Sequence, residues 1–364
     1  MTAQAATQFG CDVVILEKAA EVPAAGVCVK SLVGDWNTPE ALLELASQVD
    51  ILTLENEFVN ADALAVVEQA GHLVLPSAGC MRIVQDKLWQ KEALAKVGVP
   101  LPGFRDTPTQ ESAVAAGHEF GWPIVLKKRR NGYDGKGNAT VRNAAEISEA
   151  WDKLGGDTNA LFVEAFFPFE RELAVMITRS TKGESVTYPV VETVQKDHIC
   201  HVVKAPAAVD ATIARAAAEM AEKSVEAVGG IGTFGVEMFL SRDGEVVVNE
   251  LAPRVHNSGH YTIEACVCSQ FENHVRAVLG WPLGSPEMVA PAAVMINLLG
   301  KSKGPGEPKG WTEAVAVAGA HIHVYGKAAS APGRKMGHLT ALGASVDAAH
   351  ATARQAADAL QFGD

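Results

Sequence analysis

Residues Glu245–Val248 read as the end of a β-branched strand. The chain then continues Asn249-Glu250-Leu251-Ala252-Pro253-Arg254-Val255-His256-Asn257-Ser258-Gly259-His260. A carboxylate, a guanidinium, carboxamides and two imidazoles therefore crowd the point where an apolar strand stops. Packing gains nothing from ionisable groups there. Ligand binding does, because loops beyond strand ends are where side chains converge on a bound molecule. A plain solvated turn would favour Gly, Asn, Asp and Ser over an Arg with two His.

The preceding run, Thr233–Leu240, is apolar apart from Glu237, and Ser241-Arg242-Asp243-Gly244 supplies a turn. The two runs are predicted to form a hairpin. A carboxylate inside an apolar strand is costly unless something positive meets it. Glu237 paired with Glu250 makes a hard oxygen site suited to Mg²⁺, which takes one or two carboxylates plus substrate phosphates. An edge-strand glutamate facing water is the alternative for Glu237.

A second constellation lies upstream. Pro123–Leu126 is a short apolar strand ending in Lys127-Lys128-Arg129-Arg130, and Asn131-Gly132-Tyr133-Asp134-Gly135-Lys136-Gly137-Asn138 follows. Backbone N–H groups of such a glycine-rich loop can close over phosphate oxygens, with cations at both ends. It is not a Walker A loop, because no Ser or Thr follows Lys136 and no helical pattern opens there. Nucleic acid is a poor partner for this chain, which carries 43 acidic against 31 basic residues and a net charge of −12. One cationic cluster on an acidic protein fits a small anionic ligand better.

Taken together, Lys127 with the Gly132–Gly137 loop, the Glu237/Glu250 hairpin and Asn249–His260 resemble the ATP-grasp enzymes. Within them the likeness is closest to the carboxyaminoimidazole ribonucleotide synthetase family of purine biosynthesis. The glycine loop, Asn249–His260 and Gly333-Arg334-Lys335-Met336-Gly337-His338 look like that family's motifs in the same order. The resemblance runs from about Met1 to Leu360.

The resemblance implies an ATP site on Lys87, Lys127, Gly132, Tyr133, Asp134, Gly135, Lys136 and Gly137. The stretch Glu164-Ala165-Phe166-Phe167 matches the hinge whose backbone faces adenine. Glu172 matches a carboxylate on the ribose hydroxyls, a fit for an acceptor-only side chain; a surface glutamate is the alternative. Asn249 and Glu250 would complete the site, with Mg²⁺ (or Mn²⁺) on Glu237 and Glu250. Lys87 stands where the family often has Arg, and binds phosphate without the bidentate fork. Arg254, His256 and Lys335 are the implied catalytic residues. Tyr133, Glu57, Arg254, His256, Asn257, Ser258 and Lys335 are the implied contacts to the ribonucleotide, with Glu55 and Glu57 resembling an acidic pair near it.

The implied reaction has two steps. ATP phosphorylates bicarbonate to carboxyphosphate, and the amine of aminoimidazole ribonucleotide then captures the carboxyl carbon. A homodimer and a functional link to the PurE-type mutase come with the same resemblance. The rivals are another ATP-grasp ligase, such as the formate-dependent glycinamide ribonucleotide transformylase or a biotin carboxylase, and a non-catalytic nucleotide-binding module. Loss of Glu237, Glu250 or Lys127 would mark the latter, and all three are present.

With 364 residues, 48% of them hydrophobic, the chain can bury two or three cores. Cys11, Cys28, Cys80, Cys200, Cys266 and Cys268 form no framework, which suits reduced thiols in the cytoplasm. Cys266 and Cys268 are expected on different faces of a helix. No apolar run is long enough for a membrane span.

The expected architecture is α/β and α+β. Residues 1–95 form an open parallel, Rossmann-like pre-ATP-grasp domain, with strands at Asp12–Leu16, Ile51–Leu54 and His72–Leu75. Residues 96–282 form the ATP-grasp domain, with strands including Ser185–Val191 and a helix over Ala211–Val228. Residues 283–364 form a small β-rich domain. The family opens with a strand and a glycine-rich loop that Met1–Gly10 does not match. That strand is expected between Asp12–Leu16 and Ile51–Leu54, and the native start roughly 15–20 residues upstream of Met1.

Overall fold

The structure, a computed structural model, describes residues 1–132 and 137–363. Its first portion alternates helices with strands: α1 (Thr2–Gln8), β1 (Val14–Glu17), β2 (Lys30–Val33), α2 (Pro39–Ala46), β3 (Ile51–Thr53), α3 (Ala61–Gln69), β4 (Leu73–Leu75) and α4 (Ala78–Gln85). β1 pairs with β2, and β3 with β4, both in parallel. Among the described residues no ladder joins the two pairs, so the expected single sheet is two separate ones. β2 has no counterpart in the sequence reading, because Lys-Ser-Leu-Val is too short to show a period. Leu42, Leu52, Leu64, Val67, Val74 and Met81 form the core between these strands and their helices.

Several later helices start where a side chain satisfies their free N–H groups, Asp86, Thr109, Ser269 and Ser345 among them. Asp86 accepts from the Leu88 and Trp89 amides and opens α5 (Lys87–Lys96). Then come β5 (Phe104–Asp106), α6 (Gln110–Phe120), β6 (Ile124–Lys128), β7 (Asn138–Val141), α7 (Ile147–Leu154) and β8 (Leu161–Ala165). The four strands make an antiparallel sheet ordered β5-β8-β6-β7. Leu126, Val141 and Val163 pack with Ala113 of α6 and Trp151 of α7, which together bury that sheet's core.

A second sheet carries the rest of the chain. Its first strands are β9 (Phe169–Arg179), β10 (Ser185–Thr187), β11 (Val191–Lys196) and β12 (Ile199–Ala205). They are followed by α8 (Ala211–Ala227), β13 (Gly232–Ser241) and β14 (Val246–Ala252). Short α9 (Thr262–Ala265) and α10 (Gln270–Val278) lead to β15 (Ala292–Leu299), β16 (Gly304–Pro305), α11 (Trp311–Val315), β17 (Ala320–Val324), β18 (Ala329–Ser330), β19 (Lys335–Gly343) and α12 (Val346–Ala359). The main order is β14-β13-β9-β11-β12-β15-β19-β17, with β10 paired to β9 and β16 paired only to β18. Because β12 pairs with β15, the strands β15, β19 and β17 extend the sheet of the second portion.

Two expectations are corrected here. The run Ser185–Val191 is two strands, β10 and the start of β11, because Pro189 has no N–H to give a ladder. Cys266 and Cys268 lie in the connection between α9 and α10, not on a helix. None of the six cysteines forms a disulfide. Burial pushes the thiols of Cys266 and Cys268 up to about 12 and about 11.

The largest core lies under α8. Ala217, Ala221 and Val225 recur at every fourth residue and meet Val175, Ile177, Phe234, Val236 and Val248. Phe234 is fully buried, a contribution of about 2 kcal/mol. This packing fixes β9, β13 and β14, and with them Glu172, Glu237 and Glu250. Among the described residues no helix is long and apolar enough to cross a membrane.

Candidate active site

A cleft of about 1220 Å³ opens between the two sheets and the first portion. One end is built on regular elements. Glu237 of β13 stands directly opposite Glu250 of β14, and the next pair is Met238 with Val248. Asn249 is therefore the extra residue of a β-bulge, a device that re-aims side chains beside active sites. Burial, with Glu250 and Glu172 nearby, pushes the Glu237 carboxyl up to about 8. At Glu250 the ammonium of Lys87 outweighs burial and holds the carboxyl below the usual range. Lys87 and Glu250 form a direct ion pair. Two half-buried carboxylates that repel each other suit a divalent cation, and hard oxygens beside room for phosphates suit Mg²⁺.

Lys127, at the end of β6, reaches the same region. Its Nζ lies 2.6 Å from Glu164 Oε2 and donates to Asn249 Oδ1 at 3.3 Å. Glu164 lies on β8, its carboxylate buried. Burial alone would raise that carboxyl, but Lys127 and Lys91 together hold it down to about 2. The Glu164 side chain thus turns toward cations and leaves the backbone of Ala165–Phe167 along the cleft. Phe169 stacks on Phe239 with centroids 4.4 Å apart, and Phe167 lies parallel at 6.4 Å, an apolar wall for a flat ring. Glu172 lines the cleft beyond it, its carboxyl raised by burial.

The other end is assembled from distant pieces. Arg254 grips Glu57 through Nε and Nη2, the latter 2.7 Å from Oε1. Glu55 also lines the cleft but accepts from the Thr2 amide at 2.9 Å, so the acidic pair splits between two tasks. His256 lies with Nε2 3.5 Å from Glu237 Oε1 and Nδ1 2.8 Å from Ser258 Oγ. Burial, then Arg254 and Lys335, push the imidazole well below its ordinary value, so it is neutral at pH 7. Gly235 makes this possible, since a Cβ there would sit 2.6 Å from the His256 side chain. Lys335, from β19, lines the same cleft.

The structure thus brings Glu57, Lys87, Lys127, Gly132, Gly137, Glu164, Glu172, Glu237, Asn249, Glu250, Arg254, His256 and Lys335 to one cleft. Tyr133, Asp134, Gly135 and Lys136 lie outside the described residues. Asn257 and Ser258 also line the cleft, yet both are engaged. Asn257 exchanges two amide hydrogen bonds with Asn297 of β15, at 2.7 and 2.8 Å, and Ser258 is buried under His256.

Sequence reasoning passed over several residues. Lys91 is buried one helical turn after Lys87, and that i,i+4 spacing was the available signal. Tyr325 lines the cleft and its hydroxyl lies 3.0 Å from His338 Nδ1. His338 in turn stacks on His323 and lies tilted against His260. Nothing local in the sequence joins these rings.

Comparison with known proteins covers most of the chain. The ribonucleotide synthetase preATP-grasp domain family matches residues 1–85, the ATP-grasp domain family residues 92–271, and the phosphoribosylaminoimidazole carboxylase C-terminal domain family residues 293–352. Phosphoribosylaminoimidazole carboxylase of Schizosaccharomyces pombe is 42% identical, over 93% of this chain and 62% of its own length. The chain therefore spans less than two-thirds of that fungal relative. N5-carboxyaminoimidazole ribonucleotide synthase of Synechococcus elongatus is 40% identical, over 93% of this chain and 86% of its own. Among solved structures, N5-carboxyaminoimidazole synthase of Aspergillus clavatus, in complex with ADP and 5-aminoimidazole ribonucleotide, superposes with a TM-score of 0.89. It is 35% identical and covers 99% of this chain and 94% of its own.

Proposed function

The chain belongs to the N5-carboxyaminoimidazole ribonucleotide synthase family, and from that premise we propose that it carboxylates aminoimidazole ribonucleotide with ATP and bicarbonate. The γ-phosphoryl group passes to bicarbonate, giving ADP and carboxyphosphate. The exocyclic amine then bonds to the carboxyl carbon, and phosphate leaves. The observation that carries the reading is one cleft with two kinds of end. One pairs facing carboxylates with the Lys87 and Lys127 ammoniums; the other presents a guanidinium fork beside a neutral imidazole.

Each residue has a task that follows from its surroundings. Lys87 and Lys127 offset charge on the phosphates, where fixed cations in a partly dry cleft act strongly. Glu237 and Glu250 would hold Mg²⁺, which would offset the charge building on the transferred phosphoryl group. The Phe167–Phe169–Phe239 wall suits adenine, and Glu172 suits the ribose hydroxyls. Arg254 offers a planar fork that fits bicarbonate as it now fits the Glu57 carboxylate. His256, neutral and held at Nδ1 by Ser258, has its Nε2 toward the cleft and can pass a proton there. Lys335 adds a cation to the acceptor end. Tyr133 belongs to the same proposal as a ribonucleotide contact.

A cytoplasmic homodimer that hands its product to a PurE-type mutase is part of the proposal on the family resemblance alone. The test is ADP release with bicarbonate, with and without aminoimidazole ribonucleotide. Release that rises with the ribonucleotide and yields its carboxylated product supports the reading. Release driven by formate and glycinamide ribonucleotide instead would replace it with the sister ligase.

A further inference from the structure

Lys91 belongs to no motif and faces no open space. Its side chain is 2% exposed, yet it carries an ammonium into the protein between three separate elements. Nζ lies 2.9 Å from Glu164 Oε1, off the hydrogen-bonding angle, and donates to the Asn249 carbonyl at 3.0 Å. Glu164 holds Lys127 with its other oxygen at 2.6 Å, and Lys127 returns to the Asn249 side chain at 3.3 Å. The four residues close a ring across α5, the four-stranded sheet and the bulge of β14.

We propose that Lys91 is a positioning residue, which acts through Glu164 and Asn249 to set where the Lys127 ammonium meets the ATP phosphates. This rests on the ATP-dependent reading above. Two ammoniums share one carboxylate, so neither is fully neutralised, and Lys127, 13% exposed against 2% for Lys91, is the one that reaches the cleft. Without Lys91, Glu164 keeps a single partner, and a buried carboxylate left with one cation draws it in. Lys127 would then retreat from the phosphates. The Asn249 carbonyl would lose its donor beside the Glu237/Glu250 pair. Burial and Lys127 press the Lys91 ammonium toward neutrality and Glu164 resists them, as expected of a charge kept in place for its neighbours.

The experiment is a double-mutant cycle read by the dissociation constant of Mg·ATP. Lys91→Met should weaken Mg·ATP binding about tenfold in the otherwise native chain, since it breaks one side of a buried charge cluster. In a Lys127→Met background the same change should matter less than about twofold, because its effect travels through Lys127. A fold-wide role would give the same loss in both backgrounds, and that result overturns the proposal. So does native affinity in Lys91→Met. Should Lys91→Met not fold, Lys91→Gln, which keeps a donor for the Asn249 carbonyl, carries the same cycle and the same expectation. If the native chain itself binds no Mg·ATP, it is the functional reading that fails.

Discussion

The two ends of the cleft store charge differently. At the phosphate end the cations are already paired within the protein: Lys87 with Glu250, Lys127 with Glu164, and Lys91 behind them. All of these side chains stand on helices, strands or a bulge whose packing fixes them. At the acceptor end Arg254 lies on a loop, gripped by Glu57 from the first portion of the chain, and Lys335 arrives from β19. One end is held in place by pairs within the protein. The other holds its guanidinium on a carboxylate that resembles the ligand it is to receive. On the proposed reading, bicarbonate would take the place of the Glu57 carboxylate on Arg254, one planar anion for another, which would keep the guanidinium aligned.

The contrast breaks most visibly at Glu250. Glu250→Gln keeps shape and removes charge, so it should lower ATP turnover by on the order of a thousandfold. The fold should persist, checked by circular dichroism beside ADP release. Normal turnover would take Glu250 out of the metal site. His256→Ala probes the opposite end. Carboxylation should fall about a hundredfold, the usual scale for a lost proton-transfer group, with Mg·ATP affinity nearly unchanged. Equal losses in both measurements would mean that the two ends are not separable.

Gly235→Ala sharpens the comparison further. The new methyl would sit 2.6 Å from the His256 side chain, and overpacking of this kind costs about 1–3 kcal/mol. The ring must move. Carboxylation should drop about tenfold while Mg·ATP binding stays within about twofold. Unchanged carboxylation would show that the ring position does not limit the reaction.

The same division governs what the sequence could reveal. Phosphate-end residues sit in local patterns: cations and glycines after β6, and carboxylates on the paired strands β13 and β14. Strand alternation and turn chemistry make those legible, and the hairpin of Thr233–Leu240 with Glu245–Val248 appears as β13 paired to β14. The Asn249 bulge was not legible, because one extra residue in a strand leaves no mark in composition. Nor was the Arg254–Glu57 grip, which joins residues 197 apart in the chain. Lys91 was hidden for another reason. A lysine on a helix reads as solvated, and only the fold shows that this one is covered. In the last portion a β-rich region was expected, but the pairing of β15 onto β12 depends on edges no local pattern describes.

The smallest expected effect lies at the seam between the first portion and the site's sheet. His274 is fully buried; its Nδ1 accepts from the Thr233 amide at 3.0 Å and its Nε2 meets Thr53 Oγ at 2.8 Å. With an N–H already aimed at Nδ1, a second proton has no place there. Burial holds the imidazole down to about 4, against a weaker upward pull from Glu55. An unfolded chain binds that proton near pH 6.5. As pH falls the unfolded state is therefore protonated first. The stability is complete above about pH 6.5 and is lost progressively toward about pH 4, by roughly 3 kcal/mol at most. His274→Gln can accept from Thr233 and donate to Thr53 without titrating. Urea midpoints at pH 7 and pH 4.5 should fall less in the variant than in the native chain. Many other groups titrate in this range, so the difference between the two slopes is the measurement. Identical slopes would show that His274 does not set the acid sensitivity of this seam.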